Sequence, residues 1–150
     1  DIDNNIDVIK KSEIFLTQLE TPNEVTSYAL NRAKETGSVT IFNPAPASYI
    51  KESDFICIDY FNPNETESSF YLDKKVESKT EIEEAAKTFL AKGVKNIVIT
   101  LGPKGLYFAN SDESFFIDVY SLKDKVIDTT GAGDAFNGAF AYALSKKLKI

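Results

Sequence analysis

Residues 128–138 read Asp-Thr-Thr-Gly-Ala-Gly-Asp-Ala-Phe-Asn-Gly, and this stretch is the most informative part of the sequence for the architecture. It joins a short apolar strand end, predicted at 126–128, to a stretch whose apolar residues recur at helical spacing. The small residues between them predict a tight turn, after which a helix is expected to begin near Ala132. The apolar stripe of that helix consists of Ala135, Phe136, Ala139, Phe140, Ala143 and Leu144. The pattern therefore predicts a strand, a glycine-rich turn and a helix in succession.

The predicted start of this helix is suited to hold an anion. The first N–H groups of a helix have no partner within the helix, and the positive end of the helix dipole lies beside them. Gly131 and Gly133 allow the backbone to approach a phosphate without a side-chain clash. Asp134 lies in the first turn, where a carboxylate can accept the proton of a hydroxyl that attacks phosphorus. These residues indicate phosphoryl transfer.

Other phosphate-binding and metal-binding loops fit this stretch less well. A P-loop requires Lys and then Ser or Thr after its glycines, and that pair is absent from this turn. The third glycine position of the dinucleotide fingerprint holds Phe136. The twelfth position of a calcium loop counted from Asp128 holds Ala139, where Glu would be needed. Local physics alone leaves open a plain helix N-terminus in which Asp134 interacts only with the helix dipole.

Strand-length apolar runs alternate with helix-period stretches along the rest of the chain. Strands are predicted at 13–19, 39–42, 54–59 and 96–101, with a hairpin at 106–109 and 114–119. Two helices are expected to begin at capping boxes and to end at glycines. The first would begin at the Thr21 and Glu24 box and end at Gly37. The second would begin at the Thr80 and Glu83 box and end at Gly93. This alternation, with its short connections, predicts one α/β domain with a mostly parallel sheet.

Composition limits the classes of function that remain. The 150 residues are 43% hydrophobic and 27% charged, as in globular domains, and the net charge of -6 argues against nucleic acid or an anionic membrane as partner. The sequence contains no histidine, which excludes Ser-His and Cys-His nucleophiles and the usual zinc sites. The single cysteine, Cys57, lies in an apolar run and is expected to be a buried small hydrophobe.

The ends of the sequence also carry expectations. It begins at Asp1 without Met and stops at Ile150 inside a predicted helix, so a piece of a larger domain is expected. Neither a signal peptide nor an apolar run long enough to cross a bilayer is found in it, which favours a cytoplasmic protein.

Residues 128–144 resemble the C-terminal signature of the ribokinase family of sugar kinases. Four further segments resemble parts of that family's pattern in the same order. They are Gln18-Leu19-Glu20, Asn43-Pro44-Ala45-Pro46-Ala47, Asn64-Glu65-Thr66-Glu67, and Thr100-Leu101-Gly102-Pro103-Lys104-Gly105. The resemblance covers nearly the whole chain, and the Gly-Ala-Gly-Asp helix start is its most specific part. It implies a three-layer α/β/α fold of the ribokinase type, with helices on both faces of the sheet.

The resemblance also implies a role for each matching residue. Asp134 would be the catalytic base, next to the sugar and nucleotide, and Gly131, Ala132 and Gly133 would form the anion hole. Asn64 and Glu67 would organise the phosphates of Mg-ATP, with Glu67 acting on magnesium through water. Thr100, Leu101, Gly102, Pro103, Lys104 and Gly105 would contact the nucleotide, as would Gly133 and Asp134. Asp128 and Thr130 would help to bind a monovalent cation, usually potassium, and Glu20 would contact sugar hydroxyls.

Taken singly, the shorter segments have simpler explanations. Asn64 and Glu67 fit an ordinary turn and the first turn of a helix, residues 102–105 fit a turn between strands, and Glu20 fits a residue that precedes a helix cap. It is their common order that favours the kinase interpretation.

The expected activity is ATP-dependent phosphorylation of the primary 5-hydroxyl of D-ribose. The expected partners are ATP and a small sugar, with neither nucleic acid nor membrane, and the full-length protein is a candidate homodimer. A fructokinase, an adenosine kinase and a non-catalytic nucleotide-binding module remain as alternatives. The isolated 150 residues are expected to be inactive.

Overall fold

A computed structural model describes residues 1–120 and 126–148 of the chain. The described residues form six strands, which are β1 Ile14–Thr17, β2 Val39–Phe42, β3 Tyr60–Phe61, β4 Asn96–Thr100, β5 Leu106–Ala109 and β6 Ser114–Ile117. They also form the α-helices α1 Ile6–Lys10, α2 Asn23–Glu35, α3 Glu65–Leu72, α4 Lys79–Ala91 and α5 Ala132–Ser145. Short 3₁₀ helices occupy Asp3–Asn5, Glu52–Cys57 and Gly102–Lys104.

The strands form one sheet in which spatial order equals sequence order, from β1 to β6. Strands β1 to β4 are parallel, whereas β5 and β6 are antiparallel to their neighbours and form the predicted hairpin. A series of parallel crossovers of one hand that always steps in the same direction places every connecting helix on the same face. The prediction of a mostly parallel sheet is confirmed.

The main core lies between the sheet and helices α2, α3 and α4. Phe42 and Phe61 on adjacent strands stack with ring centroids 5.7 Å apart, and Phe61 meets Phe89 of α4 edge to face at 4.9 Å. Leu30 of α2 is fully buried in the same cluster. Truncating one such buried phenylalanine to alanine typically costs about 3–5 kcal/mol, so these side chains dominate the stability of the layer.

Helix α5 covers the opposite face of the sheet. Phe140 lies edge to face against Tyr60 of β3, with ring centroids 5.2 Å apart. Beside this contact lies an apolar cavity of about 260 Å³, lined by Val98, Leu106, Phe108, Phe136, Phe140 and Leu144 among others. Helices therefore lie on both faces, as predicted, although Ala135 and Ala139 of the predicted stripe are exposed.

The two helix starts that were predicted from capping boxes were misplaced. Thr21 does not cap α2: Pro22 is the N-cap, and the Thr21 hydroxyl lies 2.7 Å from that of Thr26. The capping box of α4 is formed by Ser78 and Glu81, two residues before the predicted pair. The motif Ser-Lys-Thr-Glu-Ile-Glu contains two overlapping capping-box patterns, and only the tertiary placement of α4 distinguishes them.

Two predicted strands were also wrong. Residues 54–59 form part of the 3₁₀ helix Glu52–Cys57 and the chain after it, and the strand itself is only Tyr60–Phe61. Residues 126–128 are not a strand. An apolar run of four to six residues does not by itself distinguish a strand from another buried segment.

Cys57 is buried, as predicted, and burial raises the pKa of its thiol, which keeps it protonated. Within 1–120 and 126–148, the helices are all too short or too polar to cross a membrane.

Candidate active site

Polar side chains follow directly after the first three strands of the sheet. Gln18 comes after β1, Asn43 after β2 and Asn62 after β3. The carboxyl ends of parallel strands meet at one edge of a sheet, which is where ligands bind in open α/β folds. The N-terminus of α5 reaches this same edge, because Asn137 and Asp134 of α5 bond to these residues.

Four carboxamides form a connected hydrogen-bond network at this edge. Asn43 Oδ1 accepts from Gln18 Nε2 at 2.8 Å and from Asn137 Nδ2 at 3.0 Å. Asn43 Nδ2 donates to the backbone carbonyl of Asn62 at 2.7 Å, and Asn62 Nδ2 donates to Asn137 Oδ1 at 3.1 Å. Three of these side chains are at most 8% exposed, so the network is shielded from competing water.

One acceptor of the network is left over. Asn62 Oδ1 is buried and has no hydrogen-bond partner within the described residues. A buried unpaired amide oxygen costs about 1–3 kcal/mol, so a water or ligand donor is the natural partner for this atom.

The start of α5 forms where the turn predicted it. Gly131 is the N-cap and has a left-handed backbone with φ of 74°, which glycine adopts without strain. The Ala132 N–H donates to the Thr129 carbonyl at 3.1 Å, so the Ala132 amide of the expected anion hole is already engaged. In the described part of the chain, the N–H groups of Gly131, Gly133 and Asp134 meet no protein acceptor. An anion at this terminus would meet those three amides.

The carboxylate of Asp134 is exposed and attached to the network. Its Oδ1 accepts a hydrogen bond from Gln18 Nε2 at 3.0 Å, and no donor from the described residues reaches Oδ2. Asp134 and Asn137 are three positions apart on α5, so they occupy the same helical face. Among the described residues, the structure thus brings a carboxylate with one open oxygen next to three backbone N–H groups that have no acceptor.

Asp128 stabilises the turn that leads into α5. Its Oδ1 accepts from both the backbone N–H and the hydroxyl of Thr130, each at 2.8 Å. The Thr130 backbone donor and then its hydroxyl lower the pKa of Asp128, so the carboxylate stays ionised. An ionised oxygen donor set of this kind is compatible with a hard cation, although one oxygen of Asp128 is already used by the turn.

Asn64 and Glu67 form a reciprocal capping box at the start of α3. Glu67 N–H donates to Asn64 Oδ1 at 2.7 Å, and Asn64 N–H donates to Glu67 Oε2 at 2.8 Å. Glu67 is 7% exposed, and burial raises its pKa more than the Asn64 backbone donor lowers it. A cation near this buried carboxylate would favour its ionised form.

The chemistry of these donors fits magnesium in the way that kinases bind it. Magnesium is usually held by one or two carboxylates, several waters and substrate phosphates, and a dedicated protein cage is not required. No group of three His, Cys, Asp or Glu residues that could hold a metal ion lies within 1–120 and 126–148.

The loop 100–105 lies beside α3 at the end of β4. Thr100 pairs with Asn64 through an isolated parallel bridge, and Lys104 Nζ lies 2.9 Å from Glu65 Oε1. Leu101 N–H donates to the Gly105 carbonyl at 2.8 Å, which closes the loop around Gly102 and Pro103. The structure therefore brings the two segments expected at the nucleotide together.

Gly105 is required by space as well as by backbone angle. Its φ is 92°, and a Cβ added there would lie 1.9 Å from the Ile117 carbonyl oxygen.

Glu20 lies two residues beyond Gln18, in an exposed turn at the same edge of the sheet. It makes no hydrogen bond or ion pair with the described residues. The structure therefore places Glu20 near the candidate site without tying it to Asp134.

Sequence reasoning missed the structural part played by Gln18, Asn43, Asn62 and Asn137. The first two stood in segments quoted for the family resemblance, without a role of their own. The available signal was positional: a polar residue directly after each of three buried parallel strands, and a carboxamide three residues after Asp134 on a helix.

Comparison with known proteins gives one family. The profile of the pfkB family carbohydrate kinase matches residues 3–150. Ribokinase of Staphylococcus aureus is 39% identical over 146 residues, which are 97% of this chain and 47% of that protein. Deoxyribokinase of Salmonella typhi is 34% identical over 143 residues, covering 95% of this chain and 46% of that protein.

A solved structure agrees with these sequence relatives. Ribokinase of Arabidopsis thaliana, complexed with ribose and ATP, matches with a TM-score of 0.91 at 28% identity. The match covers 98% of this chain and 47% of that one. The chain thus spans just under half the length of the relatives that it matches.

Proposed function

Because this chain belongs to the pfkB family of carbohydrate kinases, we propose that the full-length protein is an ATP-dependent kinase that phosphorylates the primary 5-hydroxyl of D-ribose. The observation that carries the proposal is the position of Asp134. Its carboxylate is held through one oxygen at the carboxyl edge of the sheet, beside the backbone N–H groups of Gly133 and Asp134, which have no acceptor among the described residues.

In this proposal Asp134 is the general base. Its open Oδ2 accepts the proton of the sugar hydroxyl as the hydroxyl oxygen forms a bond to the γ-phosphorus of ATP and the bond to the leaving ADP oxygen breaks. The N–H groups of Gly131, Gly133 and Asp134 stabilise the equatorial oxygens of the transferred group. The Ala132 N–H, which belongs to the same expected anion hole, donates to the Thr129 carbonyl at 3.1 Å and would have to leave it to contribute.

The nucleotide would lie against the loop 100–105 and the start of α3. Asn64 and Glu67 would hold magnesium and phosphate, and Lys104, which pairs with Glu65, has the charge to approach phosphate. Magnesium, when bound, would neutralise phosphate charge. Asp128 and Thr130 would contribute to a site for a monovalent cation, which we expect to be potassium.

Glu20 would bind hydroxyls of the sugar from the end of β1. Carboxylates are strong acceptors for sugar hydroxyls, and the exposed Glu20 carboxylate has no competing partner among residues 1–120 and 126–148. The similarity to a deoxyribokinase supports 2-deoxyribose as a second candidate substrate.

A coupled assay of ADP formation on the full-length protein tests the function. We expect ATP-dependent turnover with D-ribose to exceed that with 2-deoxyribose, fructose or adenosine, and the product to be ribose 5-phosphate. If turnover is highest with another acceptor, the protein would be assigned to a different substrate within the same family. ATP binding without ADP formation from any acceptor would support a non-catalytic nucleotide-binding module and overturn the proposal.

Several properties of the full-length protein belong to the same proposal. We expect a cytoplasmic enzyme that forms a homodimer and is activated by potassium, to be tested by fractionation, by sedimentation and by replacing potassium with sodium in the assay. The 150 residues alone are expected to be one part of a larger kinase domain and to show no turnover.

A further inference from the structure

The Gln18 carboxamide lies between two acceptors at the candidate site. Its Nε2 donates to Asn43 Oδ1 at 2.8 Å and to Asp134 Oδ1 at 3.0 Å. A primary amide nitrogen carries two hydrogens, so both donors of Gln18 are used. The side chain is half-buried and joins the end of β1 to the first turn of α5.

The orientation of this amide follows from a backbone atom. The Asn62 carbonyl can only accept, so the Asn43 side chain must turn Nδ2 toward it. Asn43 Oδ1 then faces the opposite way and requires donors, which are the amide groups of Gln18 and Asn137. Gln18 must therefore present its NH₂ group, and not its amide oxygen, to Asn43 Oδ1.

The second hydrogen of that NH₂ group is thereby aimed at Asp134. Rotating the Gln18 amide by half a turn would place its oxygen against both Asn43 Oδ1 and the Asp134 carboxylate, which are acceptors. The donor and acceptor directions in the network are thus fixed, and they make Gln18 a donor to the exposed Asp134 carboxylate. No other donor from the described residues reaches that carboxylate.

We propose that Gln18 is a positioning residue that holds the Asp134 carboxylate in place for proton transfer. The inference rests on the proposed function, since it matters for turnover only if Asp134 accepts the hydroxyl proton. An exposed aspartate without this bond would sample several rotamers, and only some of them place Oδ2 beside the attacking hydroxyl.

The principal test replaces Gln18 by methionine in the full-length protein. Methionine keeps the length of the side chain but has no N–H donor. We expect kcat to fall about 10- to 100-fold, because small displacements of a catalytic group have effects of that size. KM for ATP should change by less than about threefold, since Gln18 is outside the expected nucleotide contacts.

A double-mutant comparison separates positioning from a structural role. In an Asp134→Asn background, Q18M should produce no further loss of turnover, because the carboxylate on which Gln18 acts has gone. If Q18M lowers turnover by the same factor in both backgrounds, or leaves kcat of the otherwise native protein within about threefold, the inference is wrong.

Asn31, in helix α2, offers a matched control outside the candidate site. Its Nδ2 donates to the Asp54 carboxylate at 3.0 Å, the same distance as the Gln18 bond. We expect N31L to leave kcat unchanged even where it lowers stability. If Q18M fails to fold, Q18S provides a smaller polar replacement that cannot reach Asp134, and it should show the same loss of kcat.

These outcomes remain distinct from failure of the proposed function. A native protein without sugar-dependent turnover, or one in which Asp134→Asn has full activity, would remove the function itself. Native turnover and a strong Asp134→Asn defect, together with an active Q18M variant, would remove only the role of Gln18.

Discussion

Asn137 Nδ2 donates to Asn43 Oδ1 at 3.0 Å, although the two residues are 94 positions apart in the sequence. This bond fastens α5, which carries the candidate catalytic carboxylate, to the end of β2. The bond contributes to the free energy of unfolding because it is buried. Asn137 is 3% exposed, so water cannot replace its amide as a hydrogen-bond partner when the side chain is removed.

We therefore expect N137L to destabilise the protein strongly. The substitution removes one of the two donors to Asn43 Oδ1, which keeps its bond from Gln18, and leaves Asn62 Nδ2 without its acceptor. A buried group left without a partner costs about 1–3 kcal/mol. Urea denaturation of the full-length protein gives the loss of unfolding free energy. N5L is a suitable comparison because Asn5 is exposed and its side chain, within the described residues, donates only to the Asp1 carbonyl, away from the site. A loss in N5L as large as in N137L would contradict the prediction.

Replacing Asp134 with asparagine should remove turnover and preserve nucleotide binding. The amide keeps the shape of the side chain but cannot accept a proton, and general-base catalysis contributes about 10²- to 10⁴-fold. The measurements are kcat from ADP formation and Kd for ATP from titration calorimetry. D112N, at the exposed β5–β6 turn, should retain native kcat, and near-native turnover of the Asp134→Asn protein would refute the base assignment.

Adding a methyl group at Gly105 should unfold the 100–105 loop or the strand beside it. The new Cβ would lie 1.9 Å from the Ile117 carbonyl oxygen, in backbone that cannot move aside without breaking the β5–β6 pairing. We expect G105A to cost more than about 3 kcal/mol.

Gly37 separates this clash from the cost of the backbone angle. Its φ is 85°, similar to that of Gly105, but no atom of the described residues lies within 4 Å of an added Cβ. G37A should lower the free energy of unfolding by only about 1–2 kcal/mol, which is the cost of a left-handed backbone for alanine. Equal thermal shifts for the two variants would show that the predicted clash does not form.

Asp59 should stabilise the fold in a pH-dependent manner. Its Oδ1 lies 2.6 Å from Lys34 Nζ and 2.8 Å from Lys95 Nζ, and its Oδ2 accepts from the Thr40 N–H at 3.0 Å. Burial by itself raises the pKa of Asp59, but together these partners lower the pKa by more than burial raises it. The resulting pKa is therefore below the ordinary value of 3.8. The ionised form is therefore bound more tightly by the folded state than by the unfolded chain.

The sign of the effect follows from that lowered pKa. The stabilisation is present above the unfolded pKa of about 3.9 and is lost as the pH falls through the lower folded pKa. D59N should cost about 1–3 kcal/mol at pH 7. The difference between D59N and the native protein should shrink below about pH 4 in urea denaturation. A difference that stayed constant into that acid range would contradict the role of the ionised carboxylate.

The fold was predictable where the sequence pattern was long and regular. The strand 96–101 was recognised as a continuous β-branched run, and β4 is indeed buried over Ile97, Val98 and Ile99. The segment 54–59 had a similar apolar run, but it forms a 3₁₀ helix because the β3 pairing begins only at Tyr60. Pairing with distant strands decides such cases, and a local window does not contain it.

The candidate site was predictable only in part for a similar reason. The helix start at Ala132 follows from adjacent residues, so the turn and Asp134 could be identified locally. The bond from Gln18 to Asp134 joins residues 116 positions apart, and no spacing in the sequence signals it. Asn62 had no role assigned because its partner Asn137 is 75 positions away.

The sheet separates the residues that fold the chain from those that would recognise a substrate. Phe42 and Phe61 are the last residues of their strands and belong to the core, whereas the next residues, Asn43 and Asn62, belong to the polar edge. A lineage can exchange exposed groups beyond that edge, such as Glu20, without repacking an aromatic side chain. Selection for a different acceptor molecule could therefore change these exposed groups with little effect on the stability of the fold. This separation favours evolutionary divergence of the substrate.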